Sequence, residues 1–283
     1  RLFGFTMFCI LASSKLEKDM TLDNVVDIVR RASGLMVQNG FEVIQKDGPA
    51  NVVTSSDLAV QHFLVKELGA LLPGCGFLCE EEDFCDIEEE YVWIIDPIDG
   101  TTNYARGISD CCICVALAHN STGGMDLRIG VVYSPWRGQL WTAEKGKGAF
   151  CNGKPIHVSG KPLSDAIFCS AMSTYRKEFA ATCADIIYDV YMRANDLRRY
   201  GSAALELCLL ATGYVDIYFE IRLQPWDYAA ATLIIKEAGG FISSFDGKEP
   251  SLSRTSLVIA ANSRESLDVL SAAVHRHLSA IPY

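Results

Sequence analysis

The chain has 283 residues, 49% hydrophobic and 21% charged, enough for a substantial core in one large domain or two packed halves. Its 35 acidic and 25 basic residues leave a net charge of −10, which argues against a nucleic-acid-binding surface and demands local positive charge wherever an anion is held. No run of about 18 apolar residues occurs, so no membrane span is expected, and 11 cysteines in so long a chain point to reduced thiols in a cytoplasm rather than a disulfide framework.

Residues 1–19 combine a basic start, an apolar run and small residues in the manner of a signal peptide. The first clean helical pattern begins only after Met20, so this segment is read as an extension outside the fold rather than a secretion signal. From Thr21 the apolar positions Leu22, Val25, Val26, Val29, Met36 and Val37 follow helical spacing, with Gly40 as the stop. A second helix is expected from about Ser56, with Val60, Phe63, Leu64, Leu68 and Leu71 on one side and Pro73-Gly74 ending it.

The period then changes to short strands: Phe77–Cys79, Val92–Ile95, Cys111–Ala118, Leu127–Tyr133, Leu140–Ala143, Ala149–Cys151 and Ile156–Val158. Asn152-Gly153 is a favoured two-residue hairpin turn, and successive hairpins predict a mainly antiparallel sheet. After Lys161-Pro162, strands and helices alternate: Ile167–Ser170, a helix over Glu178–Tyr191, Leu197–Tyr200, a helix over Ser202–Thr212, Tyr214–Phe219, a helix over Trp226–Ala238, Gly240–Ser244, Leu257–Ala260 and a closing helix over Arg264–Ser279. The expectation is a layered α+β protein. Residues 20–160 would form an N-terminal α+β half and residues 161–283 a mixed α/β half, packed as one unit.

Within CCIC, strand alternation puts Cys111 opposite Cys112 and Cys114, and no second cysteine or histidine pair lies nearby. These thiols are read as small buried hydrophobes rather than a zinc site. The string WIIDPIDGTTNY at 93–104 carries more chemistry. An apolar strand runs into Asp96 and Asp99 across the rigid Pro97, then reaches Gly100 and the hydroxyls of Thr101 and Thr102. Carboxylates suited to Mg²⁺ thus adjoin amides suited to phosphate, although acids and glycines at a strand end also make ordinary turns. Glu80 follows the strand FLC as the first of four acids, of which Glu82 and Asp83 are expected to be solvated. Asp227 opens an apolar helix, where an N-cap is the ordinary role, and Asp57 could equally be a first-turn acid.

WIIDPIDGTTNY taken with PWDYAAATLIIKEAGG resembles the inositol monophosphatase family of metal-dependent, lithium-sensitive phosphatases. The likeness extends from about Thr21 to Ile281 and includes GKGAFCNGKPI and FLCEEED. Cys79 and Tyr104 depart from the usual glycine and phenylalanine without removing a ligand. The resemblance implies a layered αβαβα sugar-phosphatase-like fold and two or three Mg²⁺ ions. One ion would rest on Glu80, Asp96 and the Ile98 carbonyl, a second on Asp96, Asp99 and Asp227, and a weaker third on Glu80. It implies Asp57 and Thr101 as the pair that polarises the attacking water, with Glu80 orienting that water. It also implies Gly100 and Thr101 amides for phosphate, and Asp99, Gly201, Ala203, Glu220 and Asp227 around the alcohol, with a looser match at Ser173. The substrate implied is myo-inositol monophosphate or a similar polyol phosphate, and the assembly a homodimer. Thr102, where nucleotide-acting relatives often carry lysine, leans away from 3′(2′),5′-bisphosphate nucleotidases. Fructose-1,6-bisphosphatase activity and a catalytically silent metal-binding relative stand as alternatives.

Overall fold

The computed structural model describes residues 21–37, 42–45, 52–82, 84–174 and 176–279. The segment 1–19 and Asp83 therefore lie outside the described residues. Among the described residues two helices come first, α1 (Leu22–Val37) and α2 (Ser55–Leu71), with a small antiparallel pair, β1 (Val43–Gln45) and β2 (Val52–Thr54), between them. A seven-stranded sheet follows in chain order: β3 (Gly76–Cys79), β4 (Tyr91–Asp99), β5 (Cys112–Ser121), β6 (Gly124–Ser134), β7 (Gln139–Glu144), β8 (Ala149–Cys151) and β9 (Lys154–Pro155). Only β3 and β4 run parallel within it; every other neighbouring pair is antiparallel, as the hairpin pattern predicts. The one short helix among these strands is α3 (Thr101–Ala105).

The second half holds a five-stranded sheet in the order β11-β10-β12-β14-β13, from β10 (Ile167–Ser170), β11 (Asp196–Arg198), β12 (Ile217–Leu223), β13 (Phe241–Ser243) and β14 (Ser256–Ala261). It is mixed: β10 pairs parallel with β11 and β12, while β14 pairs antiparallel with β12 and β13. Its helices are α4 (Ala180–Tyr191), α5 (Ala203–Ala211), α6 (Pro225–Glu237) and α7 (Arg264–His277).

Side-chain alternation stacks these elements into five layers. Along β4, Trp93 and Ile95 face Val25, Val29, Val60 and Leu64 of α1 and α2, while Val92 and Ile94 face Leu205 and Leu209 of α5 and Tyr228 and Ile235 of α6. The far side of that helix pair meets Tyr218, Val258 and Ala260 of the second sheet. The opposite face of the second sheet, with Phe168, Phe219 and Ile259, packs on Cys183 and Ile186 of α4 and Leu267 and Leu270 of α7. The order is helix, sheet, helix, sheet, helix. Helices α5 and α6 are covered on both sides, which explains why nearly every residue of α5 is buried and why α6 reads as an almost continuous apolar run.

Three expectations need correction. Ile156–Val158 is not a strand; the hairpin that turns at Asn152-Gly153, both with positive φ, ends in β9 at Lys154–Pro155. The strand before Asp227 spans Ile217–Leu223 rather than starting at Tyr214, because Tyr214 is an exposed residue of the turn after α5. And β4 does not end at Ile95. It continues through Asp99, with a break in register.

Candidate active site

That register break sets the geometry. Residues three apart on a regular strand point to opposite faces. Opposite β5, however, Asp96 pairs with Cys114 and Asp99 with Cys112, so three steps along β4 match two along its partner. The extra residue forms a bulge at Pro97-Ile98, where the missing proline N–H removes a ladder donor. The bulge turns both carboxylates toward one side. Gly100 follows with φ 92°, and a Cβ there would press on the Asp110 carbonyl and the Ser202 Cβ at 3.0 and 3.2 Å. Glycine is required on both counts.

Four segments converge on these two aspartates. Glu80 arrives from the end of β3, its N–H bonded to the Ile95 carbonyl at 3.2 Å. Asp227 stands in the first turn of α6, where its Oδ2 accepts the Gln224 N–H at 2.7 Å. The N-terminus of α5 caps Asp99, whose carboxylate accepts the Ser202 hydroxyl at 2.6 Å and the Ala203 and Ala204 N–H groups at 3.3 and 2.7 Å. Glu220, on β12, accepts the phenol of the fully buried Tyr218 at 2.7 Å. A cleft of about 350 Å³ is lined by Glu80, Asp96, Asp99, Thr101, Glu220 and Asp227, together with Ile98, Gly100, Gly201 and Ala203.

Asp57 reaches this region from below. It is fully buried in the first turn of α2, in a reciprocal cap with Thr54. Its Oδ1 lies 3.3 Å from the Thr101 hydroxyl, which also lies 3.1 Å from the Ile98 carbonyl. Of the sequence-predicted residues, two do not line the cleft: Asp57 meets it only through Thr101, and Ser173 is buried while its neighbours Ala171 and Thr174 form the wall.

The electrostatics are those of acids forced together. Burial, then the charges of Glu80, Asp99 and Asp227, holds Asp96 well above the usual carboxylate range. Asp227 is raised well above it by the same pair of causes, burial and then Asp99 and Glu80, and Asp99 is raised by burial against the pull of its four donors. Burial lifts Asp57 to about 6 and Glu220 to about 7.

Sequence reasoning passed over several supports. Glu81 is buried, and its backbone is clamped by the buried Gln61, whose side chain accepts the Glu81 N–H at 3.0 Å and donates to its carbonyl. Gln61 thereby fixes the presentation of Glu80. Glu206, buried on α5, accepts the N–H groups of Tyr200 and Gly201, and Asn103 donates to the Tyr200 carbonyl at 2.7 Å, so the loop before α5 is held from both sides. A polar residue one helical turn inside an apolar run, as with Gln61 and Glu206, is the signal that could have found them.

The model of the inositol monophosphatase family matches residues 18–279. The chain belongs to the inositol monophosphatase family. Among relatives, the inositol-1-monophosphatase of Mesorhizobium japonicum is 35% identical over 213 residues, 75% of this chain and 79% of that protein. The Nus factor SuhB of Escherichia coli is 32% identical over 250 residues, covering 86% and 91%. The solved extragenic suppressor protein suhB of Bartonella henselae superposes with a TM-score of 0.80 at 32% identity, over 91% of this chain and 99% of that one. The relatives thus include proteins named inositol-1-monophosphatase and proteins named Nus factor SuhB.

Proposed function

We propose that this protein hydrolyses a phosphate monoester of a polyol, with myo-inositol monophosphate as the leading substrate, using Mg²⁺ held by the convergent carboxylates. The single observation that carries the reading is the register bulge that aims Asp96 and Asp99 at Asp227 and Glu80. The donor set fits the ion. Glu80, Asp96, Asp99 and Asp227 with the Ile98 carbonyl are hard oxygens in one cleft. Beyond burial, crowding by Glu80, Asp99 and Asp227 raises the proton affinity of Asp96, a repulsion that a bound cation would relieve. Bound Mg²⁺ would supply Lewis-acid polarisation of the phosphoryl oxygens and a lowered pKa for the attacking water.

The chain's own groups do the rest. Asp57 accepts the Thr101 proton, which turns the hydroxyl lone pair toward a water in the cleft, and Thr54 holds Asp57 in that orientation. The Gly100 and Thr101 amides face the phosphate side, and Glu220 at the opposite wall is placed to accept polyol hydroxyls. An anionic ester would otherwise be repelled from so acidic a wall, so phosphate release should require added Mg²⁺ and be suppressed by Li⁺. Asp96→Asn should abolish turnover by at least about a thousandfold while circular dichroism stays native; turnover surviving that change would refute the metal assignment.

A second reading, hydrolysis of a bisphosphate, is favoured by one residue. Arg199 is the one cationic side chain lining the cleft among the described residues, held by the Thr174 hydroxyl at 3.0 Å and near enough to Glu220 to lower its proton affinity. Arg199→Ala should lower the ratio of kcat/KM for fructose 1,6-bisphosphate to that for inositol monophosphate by about tenfold if this reading holds.

A further inference from the structure

The bulge in β4 has a consequence on the neighbouring strand. It pairs Asp99 with Cys112 and Asp96 with Cys114, so the two cysteines that share a face of β5 lie directly behind the acid cluster. The Cys112 and Cys114 Sγ atoms are 3.8 Å apart, and the Cys112 Sγ is 3.8 Å from the Asp99 Oδ2 and 3.5 Å from the Ser202 Oγ. One carboxylate oxygen and two sulfurs all fall within 4.8 Å of one another. Tetrahedral zinc, with bonds of about 2.3 Å to sulfur and about 2.0 Å to oxygen, spans ligand edges of roughly 3.8 Å between sulfurs and roughly 3.5 Å between sulfur and oxygen. The dithiol therefore already has the sulfur spacing of a thiolate metal site.

We propose that Cys112, Cys114 and Asp99 form a binding site for a thiophilic cation such as Zn²⁺ or Cd²⁺, distinct from the oxygen-lined centre and sharing Asp99 with it. Hard Mg²⁺ has no preference for sulfur, whereas thiolates select softer ions. Asp99 and Ser202 line the cleft and stand between it and the sulfurs, so the ion enters past them. On binding, the two thiol protons leave through the cleft and the sulfurs become thiolate ligands. The carboxylate oxygen that turns to this ion is the one now accepting from Ser202 and Ala204. Asp99 is then no longer free to serve the oxygen-lined centre, and filling the site inhibits the enzyme. That inhibitory consequence rests on the function proposed above; the binding itself does not.

Cadmium is the probe, added to the intact protein in excess Mg²⁺ while the ultraviolet thiolate-to-cadmium charge-transfer band is followed. One equivalent should raise the band. Cys112→Ser and Cys114→Ser should each remove it and weaken cadmium binding by at least about tenfold, with Cys112→Ala as a substitute should a buried serine impair folding. Absence of the band in the wild type overturns the site, and so does a band that persists in the double serine variant, since other thiols such as Cys75, Cys85 and Cys151 then account for the uptake. Cadmium should inhibit phosphate release at least about tenfold more weakly in the serine variants. An unchanged inhibition constant beside a lost band overturns the coupling to Asp99. The band reads equally well in a protein that hydrolyses nothing, so the two proposals fail separately.

Discussion

At the scale of single residues, one proton decides whether the proposed Asp57–Thr101 pair can activate a water. The Thr101 hydroxyl has two acceptors within reach, the Asp57 carboxylate and the Ile98 carbonyl, and only the first prepares a lone pair for a water. Thr101→Val keeps the shape and removes the hydroxyl. It should lower kcat by about a hundredfold or more with little change in melting temperature, measured by steady-state phosphate release and thermal denaturation. Burial raises Asp57 to about 6, and its ionised form is the much stronger acceptor for that proton. At saturating Mg²⁺, kcat should therefore fall as pH drops through about 6, and Asp57→Asn should flatten that limb at a low residual rate. A limb unchanged by the substitution would assign the titration to another group.

At the scale of elements, helix α6 delivers Asp227 and the sheet decides how deep it sits. Gly130 on β6 lies under α6, and a Cβ there would stand 2.5 Å from the Ala230 carbonyl. Backbone cannot yield as a flexible side chain does, so Gly130→Ala must lift the helix. Destabilisation of about 1–3 kcal/mol in chemical denaturation is expected, together with weaker Mg²⁺ activation because Asp227 moves with the helix. Stability lost with the Mg²⁺ requirement unaltered would mean that α6 and Asp227 are not rigidly coupled. The capping pattern points the same way: Asp227 bonds the Gln224 N–H while facing the cleft, so one carboxylate both starts the helix and completes the acid cluster. The ordinary reading of Asp227 as an N-cap is off by three residues: Gln224 is the N-cap, and Asp227 bonds back to it from the third position of the helix.

At the scale of the whole molecule, a chain of net charge −10 gathers much of its buried acid into one cleft. Asp57, Glu220 and Glu206 sit at about 6, 7 and 8, all above the unfolded carboxylate value of about 4. The folded state thus binds more protons than the unfolded state between about pH 4 and 8, so stability falls as pH rises across that window. In a chelator the melting temperature should decline from about pH 5 to 8, and Mg²⁺ should restore it most at the upper end by binding only the folded state. A melting temperature that rises with pH in the chelator would contradict this picture of strained acids.

The sequence by itself determined the elements and most of the acids. Apolar periods marked most strands and helices but not the short β1, β2 and β9, and WIIDPIDGTTNY with PWDYAAATLIIKEAGG carried the family, because local pattern and short motifs survive without knowledge of contacts. Only the tertiary structure decided which side chains meet. On a regular strand Asp96 and Asp99 would point to opposite faces, and the bulge that brings them together is a property of pairing with β5. The same pairing put Cys112 and Cys114 behind Asp99 where the sequence offered the thiols no metal-binding partner, and folding brought Gln61 to Glu81 and Arg199 to the cleft wall. Register and layer packing are relations between distant segments, and a linear pattern carries no coordinate for them.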